Sequence, residues 1–141
     1  MGRKDPWPLG ERRVTGLTLD AGALIALDRD DRQVLRLLAT SLALGDRVII
    51  PAGALAQSIR QPQRQVHLAR LLRQPTTDVV ALDRRDAVLV GRMLARSGTA
   101  DVVDAHVVLC AQRAEQSVIT SDGDDLARLD NHLQRPEVQT A

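Results

Sequence analysis

Four short runs of β-branched and leucine side chains recur along this chain, and each of the first three is followed by a stretch long enough for one or two helices. The runs are Leu17-Thr-Leu19, Arg47-Val-Ile-Ile50, Asp78-Val-Val-Ala-Leu82 and Ser117-Val-Ile-Thr120. Runs that are apolar throughout, rather than alternating, suit strands covered on both faces. Strands that alternate with helices are joined by crossovers, which are right-handed in nearly all proteins. The expected class is α/β, with a central parallel β-sheet flanked by helices in three layers.

Local signals set the expected boundaries. Residues 1–16, with Pro6-Trp7-Pro8 and Gly10, have no periodicity and read as a flexible arm. The domain proper is expected over 17–135, with a C-terminal tail at 136–141. Asp30 or Asp31 can cap a helix whose apolar stripe is Val34, Leu35, Leu37 and Leu38, and Gly45 stops it. Pro51 suits the first turn of a helix, and Pro62 is expected to open another that carries Leu68, Leu71 and Leu72. Asp83 caps a helix through Arg96 that Gly98 ends. Thr99 is expected to cap the next, from Asp101 to Glu115, and Asp124 to begin a short last helix.

At 141 residues there is room for one core of ordinary size. Phe and Tyr are absent, so that core must be built from Leu, Val, Ile and Ala, and RNA-binding modules that stack bases on aromatic side chains are excluded. The single Cys110 excludes a disulfide framework and a multi-cysteine zinc site. No apolar run reaches the length of a membrane span, and the first residues lack a signal-peptide core, which gives the expectation of a cytoplasmic protein without a membrane partner.

Charge is divided unevenly. Residues 1–75 carry 12 basic and 7 acidic side chains, and 76–141 carry 7 and 11. No acid occurs between Asp46 and Asp78, where Arg60 and Arg64 stand four apart and Arg70 and Arg73 three apart. Each pair can line a helical face and contact an RNA backbone, although a solvated face is an equally good reading.

Ligands of open parallel sheets bind outside the carboxyl ends of the strands. Asp20 ends the first strand and Asp122 follows the fourth, so both reach that rim. The helix from Asp101 reads Asp-Val-Val-Asp104-Ala-His106-Val-Val-Leu-Cys-Ala, apolar nearly all round, so it is expected to be buried. Asp104 within it needs a cation or strong donors, and Asp101 shares its face. Carboxylates gathered on one rim repel each other, and a bound divalent cation removes that repulsion. Oxygen donors select Mg²⁺ or Mn²⁺, which suit chemistry on phosphate esters. His67, His106 and His132 lack ligand spacing, and Cys110 reads as core.

Together, Leu19-Asp20 before an apolar helix, Pro51-Ala-Gly-Ala-Leu-Ala-Gln57-Ser, Asp101-Val-Val-Asp104-Ala-His and Val118-Ile-Thr-Ser-Asp122-Gly-Asp-Asp125-Leu resemble a PIN domain. The likeness runs from about Leu17 to Leu133 and is nearest to VapC-type toxins of toxin–antitoxin pairs. It implies a PIN-like three-layer α/β fold, a Mg²⁺- or Mn²⁺-dependent endoribonuclease, a homodimer and a cognate antitoxin that covers the site. It assigns the acidic ligands to Asp20, Asp104 and Asp122, which with a metal-activated water form the expected catalytic set. Asp101 joins them as a further ligand and Asp125 is held in reserve. Gln57 stands where the family usually carries Glu. A neutral amide can hold a metal-bound water but cannot act as a base, which keeps open a degenerate domain that binds RNA or a protein partner without cleaving. A phosphotransfer domain, phosphorylated on the first-strand aspartate, wants a nearby lysine, and the chain's one lysine is Lys4.

Overall fold

The computed structural model describes residues 16–120 and the strand 138–140. In chain order the elements are β1 (Leu17–Leu19), α1 (Ala21–Asp28), α2 (Arg32–Ala43), β2 (Val48–Pro51), α3 (Ala52–Ser58), a 3-10 turn (Pro62–Arg64), α4 (Val66–Leu72), β3 (Thr77–Val80), α5 (Arg84–Ser97), α6 (Val102–Ala114), β4 (Ser117–Thr120) and β5 (Val138–Thr140). The class is α/β as expected: the sheet order is β3-β2-β1-β4-β5 and every pairing is parallel. From β1 the chain steps outward to β2 and β3, then returns across β1 to β4. With right-handed crossovers this reversal puts α1–α4 on one face and α5–α6 on the other.

Apolar burial holds the layers together. Leu17, Leu19, Val48, Ile50, Val118 and Ile119 of the central strands pack against Leu24, Leu27, Val34 and Leu38 of α1 and α2 and against Val107, Val108 and Ala111 of α6. Among the described residues no helix is long and apolar enough to cross a membrane.

Several helix ends follow their predicted signals. Asp31 Oδ1 accepts from Gln33 N and Val34 N at 3.0 and 3.1 Å, and Asp83 Oδ1 accepts from Asp86 N at 2.9 Å. Gly45 and Gly98 leave their helices with φ of 71° and 73°, where a side chain would be strained.

Other ends differ. Asp101, not Thr99, caps α6: its Oδ1 accepts from Asp104 N at 2.9 Å, whereas Thr99 shares a hydroxyl contact of 3.1 Å with Ser97. Pro62 opens a 3-10 turn rather than a helix, and α4 begins separately at Val66. Arg47 lies just before β2, and its carbonyl accepts from Leu17 N at 3.1 Å in the first bond between β1 and β2. Strand β3 stops at Val80, and Leu82 is exposed; as an edge strand β3 has one neighbour to pair with. The segment expected as a tail contributes β5, which is too short to carry a hydrophobic pattern.

A polar strut ties the strand starts together. Buried Gln116 accepts from the Thr18 hydroxyl at 2.8 Å and donates to the Arg47 carbonyl at 3.1 Å. Gly16, with φ of 96°, lies against the same carbonyl: a Cβ there would come within 2.0 Å of Arg47 O.

Candidate functional site

Strand register builds the rim. Leu19 pairs with Ile119, so the next residues, Asp20 and Thr120, stand side by side where β1 and β4 end. The chain leaves β1 toward β2 on one side, while β4 leads to β5 on the other, which makes this boundary the switch point at which open α/β sheets bind ligands. Asp20 is 5% exposed. Its Oδ1 accepts from Ala23 N at 2.8 Å, capping α1, and its Oδ2 accepts from the Thr120 hydroxyl. The cap and the rim position are therefore one arrangement, because the helix that starts after Asp20 fixes the carboxylate at the strand end.

Helix α6 lies across the middle of the sheet and runs opposite to the strands, so its first turn is at the same rim. The contact with α3 shows how close it comes: a Cβ on Gly53, in the turn that follows β2, would meet Val103 Cγ2 at 3.0 Å. Asp101 is exposed as the N-cap, and Asp104 is half-buried in the first turn rather than buried as expected. The full burial begins one residue later, at Ala105. Asp20, Asp101 and Asp104 do not gather with all ligand atoms within 4.8 Å of one another.

The remaining predicted residues are dispersed. Gln57 is exposed in the last turn of α3. Arg60 and Arg64 do not share a helical face, since Arg60 follows α3 and Arg64 ends the 3-10 turn. They do line one cleft, of about 300 Å³, with Arg29. Arg70 and Arg73 close α4, which leads into the start of β3, so they lie toward the edge of the sheet opposite Asp20. Asp122 and Asp125, and the last predicted helix, lie outside the described residues.

A second polar cluster went unread in the sequence. Buried Asp86 of α5 holds His106 and Arg113 of α6: Nε2 of His106 is 2.8 Å from Oδ2, Arg113 Nη1 donates to Oδ2 at 3.4 Å, and Arg113 Nη2 donates to Oδ1. With Cys110, these groups occupy one stripe of α6 at i, i+4 and i+7. That stripe was legible as a helix face, but the burial of Asp86 was not, because Asp83-Arg-Arg-Asp86 reads as an ordinary first turn with its favourable acid.

Ligand atoms of Asp86, His106 and Cys110 do lie within 4.8 Å of one another. The pairing with Arg113 argues against a cation among them. The Arg113 guanidinium already spans both oxygens of Asp86 and holds its carboxyl below the usual carboxylate value, with His106 adding to the effect against desolvation. Burial pushes the Cys110 thiol up to about 12. The cluster is an ion-pair network that joins α5 to α6. His106 and Cys110 therefore face Asp86, and the α6 residues left to the rim, Asp101 and Asp104, offer oxygen donors.

No known family model matches the chain, and no curated protein matches it.

Proposed function

We propose that the chain is a Mg²⁺- or Mn²⁺-dependent endoribonuclease whose rim carboxylates Asp20 and Asp104 hold the metal. Asp101, the N-cap of α6, and Asp122 complete the proposed set. The observation that carries this reading is Asp20: a carboxylate almost fully buried at the end of the central strand, at the switch point of a parallel sheet. The donors offered there are oxygen, which suits a hard divalent cation.

When bound, such an ion polarises a phosphodiester and generates hydroxide from water at neutral pH. The chain's own part is orientation. Ala23 N–H and the Thr120 hydroxyl hold Asp20 in place, and the first turn of α6 presents Asp104. The resemblance to PIN domains supports RNA as substrate and adds, as proposals, a homodimer, a cytoplasmic location and an antitoxin protein that covers the rim.

The test is cleavage of a mixed-sequence single-stranded RNA by the full chain with Mn²⁺, with chelator, and with Asp104→Asn. Cleavage should need the ion and fall by about 100-fold or more in the variant, as expected for loss of a group that acts in the transition state. Equal cleavage by the variant, or in chelator, would overturn the proposal.

Gln57 favours a second reading, a domain that grips RNA or a protein without cleaving it. It is neutral and exposed on α3, where the resembling family carries Glu. Metal binding without cleavage in the natural chain, with cleavage gained in Gln57→Glu, would select that reading.

A further inference from the structure

We infer that the cleft between the end of α1 and the segment after α3 is a phosphate-binding site, built from Arg29, Arg60 and Arg64 and used to hold the RNA backbone away from the rim. The three arginines line a cleft of about 300 Å³ together with Asp28, Ser58 and Gln65. All three are exposed, and none of their guanidinium groups has a hydrogen-bond or ion-pair partner among the described residues. Three like charges beside one cleft repel each other, and an anion relieves that repulsion. Guanidinium groups present paired donors that match the oxygens of phosphate and of carboxylate, and three of them beside one cleft suit a multiply charged phosphate chain better than a single carboxylate.

The walls of this cleft are fixed in advance. Gln65 Oε1 accepts from Arg60 N and Gln61 N at 3.0 and 3.2 Å, and its Nε2 donates to Ser58 O and Asp28 Oδ2 at 2.8 and 3.1 Å. One amide thus makes four hydrogen bonds and sets the backbone that carries Arg60. Asp28, the acid that lines the cleft, has Oδ1 on Leu68 N at 3.3 Å and Oδ2 on Gln65. Its carboxylate serves the walls of the cleft, and the charge balance of the site stays positive. No ordering of the scaffold is then needed when a phosphate enters.

Position gives the site its use. Asp20 and Arg29 flank opposite ends of α1, whose eight residues span about 12 Å. A strand with one phosphate at the rim would have another within reach of the cleft. The RNA part of this inference rests on the function proposed above, while phosphate recognition stands without it.

The experiment measures binding in chelator, where the metal plays no part. A fluorescent single-stranded RNA, inorganic phosphate and an oligoglutamate peptide are titrated against the natural chain and Arg29→Gln/Arg60→Gln/Arg64→Gln. The inference predicts RNA affinity at least tenfold weaker in the triple variant. It also predicts a salt slope smaller by about 2, for three contacts at about 0.7 each on a single strand. Inorganic phosphate should compete with RNA in the natural chain and not in the triple variant. RNA affinity indifferent to the three arginines overturns the inference even if Mn²⁺-dependent cleavage is observed. Arginine-dependent binding of phosphate or of the peptide without RNA overturns the assignment to a nucleic-acid backbone. Arginine-dependent RNA binding in a chain that never cleaves supports this site and defeats the nuclease reading instead. Because the three side chains are exposed, the melting temperature of the triple variant should match that of the natural chain.

Discussion

The Thr120 hydroxyl donates to Oδ2 of Asp20 across the boundary between β4 and β1, which joins the ends of two parallel strands through the carboxylate that also caps α1. Residues 100 apart in sequence meet because the register aligns Leu19 with Ile119. The arrangement holds Asp20 from two sides, and a side chain held this way suits a ligand-binding role better than a mobile one.

Asp101 has two possible duties that a pair of substitutions separates. Asn caps a helix about as well as Asp, and Ala does not. Asp101→Ala should therefore cost about 1 kcal/mol, read from urea unfolding, while Asp101→Asn should leave stability nearly unchanged. If Asp101 also helps to hold the cation, both variants should bind Mn²⁺ more weakly. Full affinity in both would reduce Asp101 to its cap.

Asp86 gives the fold a pH dependence. Its carboxyl is held below the usual value of 3.8 by Arg113 and, less strongly, by His106, against the opposing effect of burial. The unfolded chain takes up this proton at higher pH than the folded one. The stabilisation is thus complete above about pH 5 and is lost as pH falls through the folded value. Asp86→Asn should cost about 2 kcal/mol at pH 7 by removing a charged acceptor from Arg113 and His106. It should also flatten the fall in stability below about pH 4. An acid limb as steep in the variant as in the natural chain would assign that limb to other groups.

Gly16→Ala should destabilise the chain by about 3 kcal/mol or more, since a residue with φ of 96° gains a Cβ that meets Arg47 O at 2.0 Å and Gln116 Nε2 at 2.6 Å. Gln116→Leu should cost less, about 2 kcal/mol, through loss of its bonds to Thr18 and Arg47. Urea midpoints give both values, and a Gly16→Ala chain as stable as the natural one would show that the Gly16 backbone is not held as described.

Cys110 reports on the seam between α5 and α6. It is 3% exposed and its thiol is pushed up to about 12, so labelling by a disulfide reagent at pH 8 should be slow. Asp86→Asn should speed it, because opening the seam then costs less. Rapid labelling of the natural chain would contradict the packing of α6.

Fold class was legible because strand and helix signals agreed along the chain. Asp31, Asp83 and Gly98 each combined a cap residue with a change of periodicity, and their helices end where predicted. Legibility failed where tertiary partners decide. Thr99 and Asp101 are both good caps in sequence, and the bond to Asp104 N selects the second. Asp86 looks the same in sequence whether exposed or buried, and Arg113, 27 residues away, decides it. Arg60 and Arg64 have helical spacing, yet the Gln65 amide holds the chain between α3 and α4 in another path. The rim position of Asp20 was readable, since the last residue of a strand in a parallel sheet has no other place to go.

The most direct test of the proposed site is the thermal melt of the natural chain and Asp20→Asn at increasing Mn²⁺. An ion that binds the folded state stabilises it by about 2.7 kcal/mol at 100 times its Kd. The natural chain should therefore melt at rising temperature as Mn²⁺ increases, and Asp20→Asn should show little or no rise, whatever its melting temperature in chelator. A rise of equal size in Asp20→Asn would mean that the cation is not held by Asp20, and would contradict the account of the rim as a metal site.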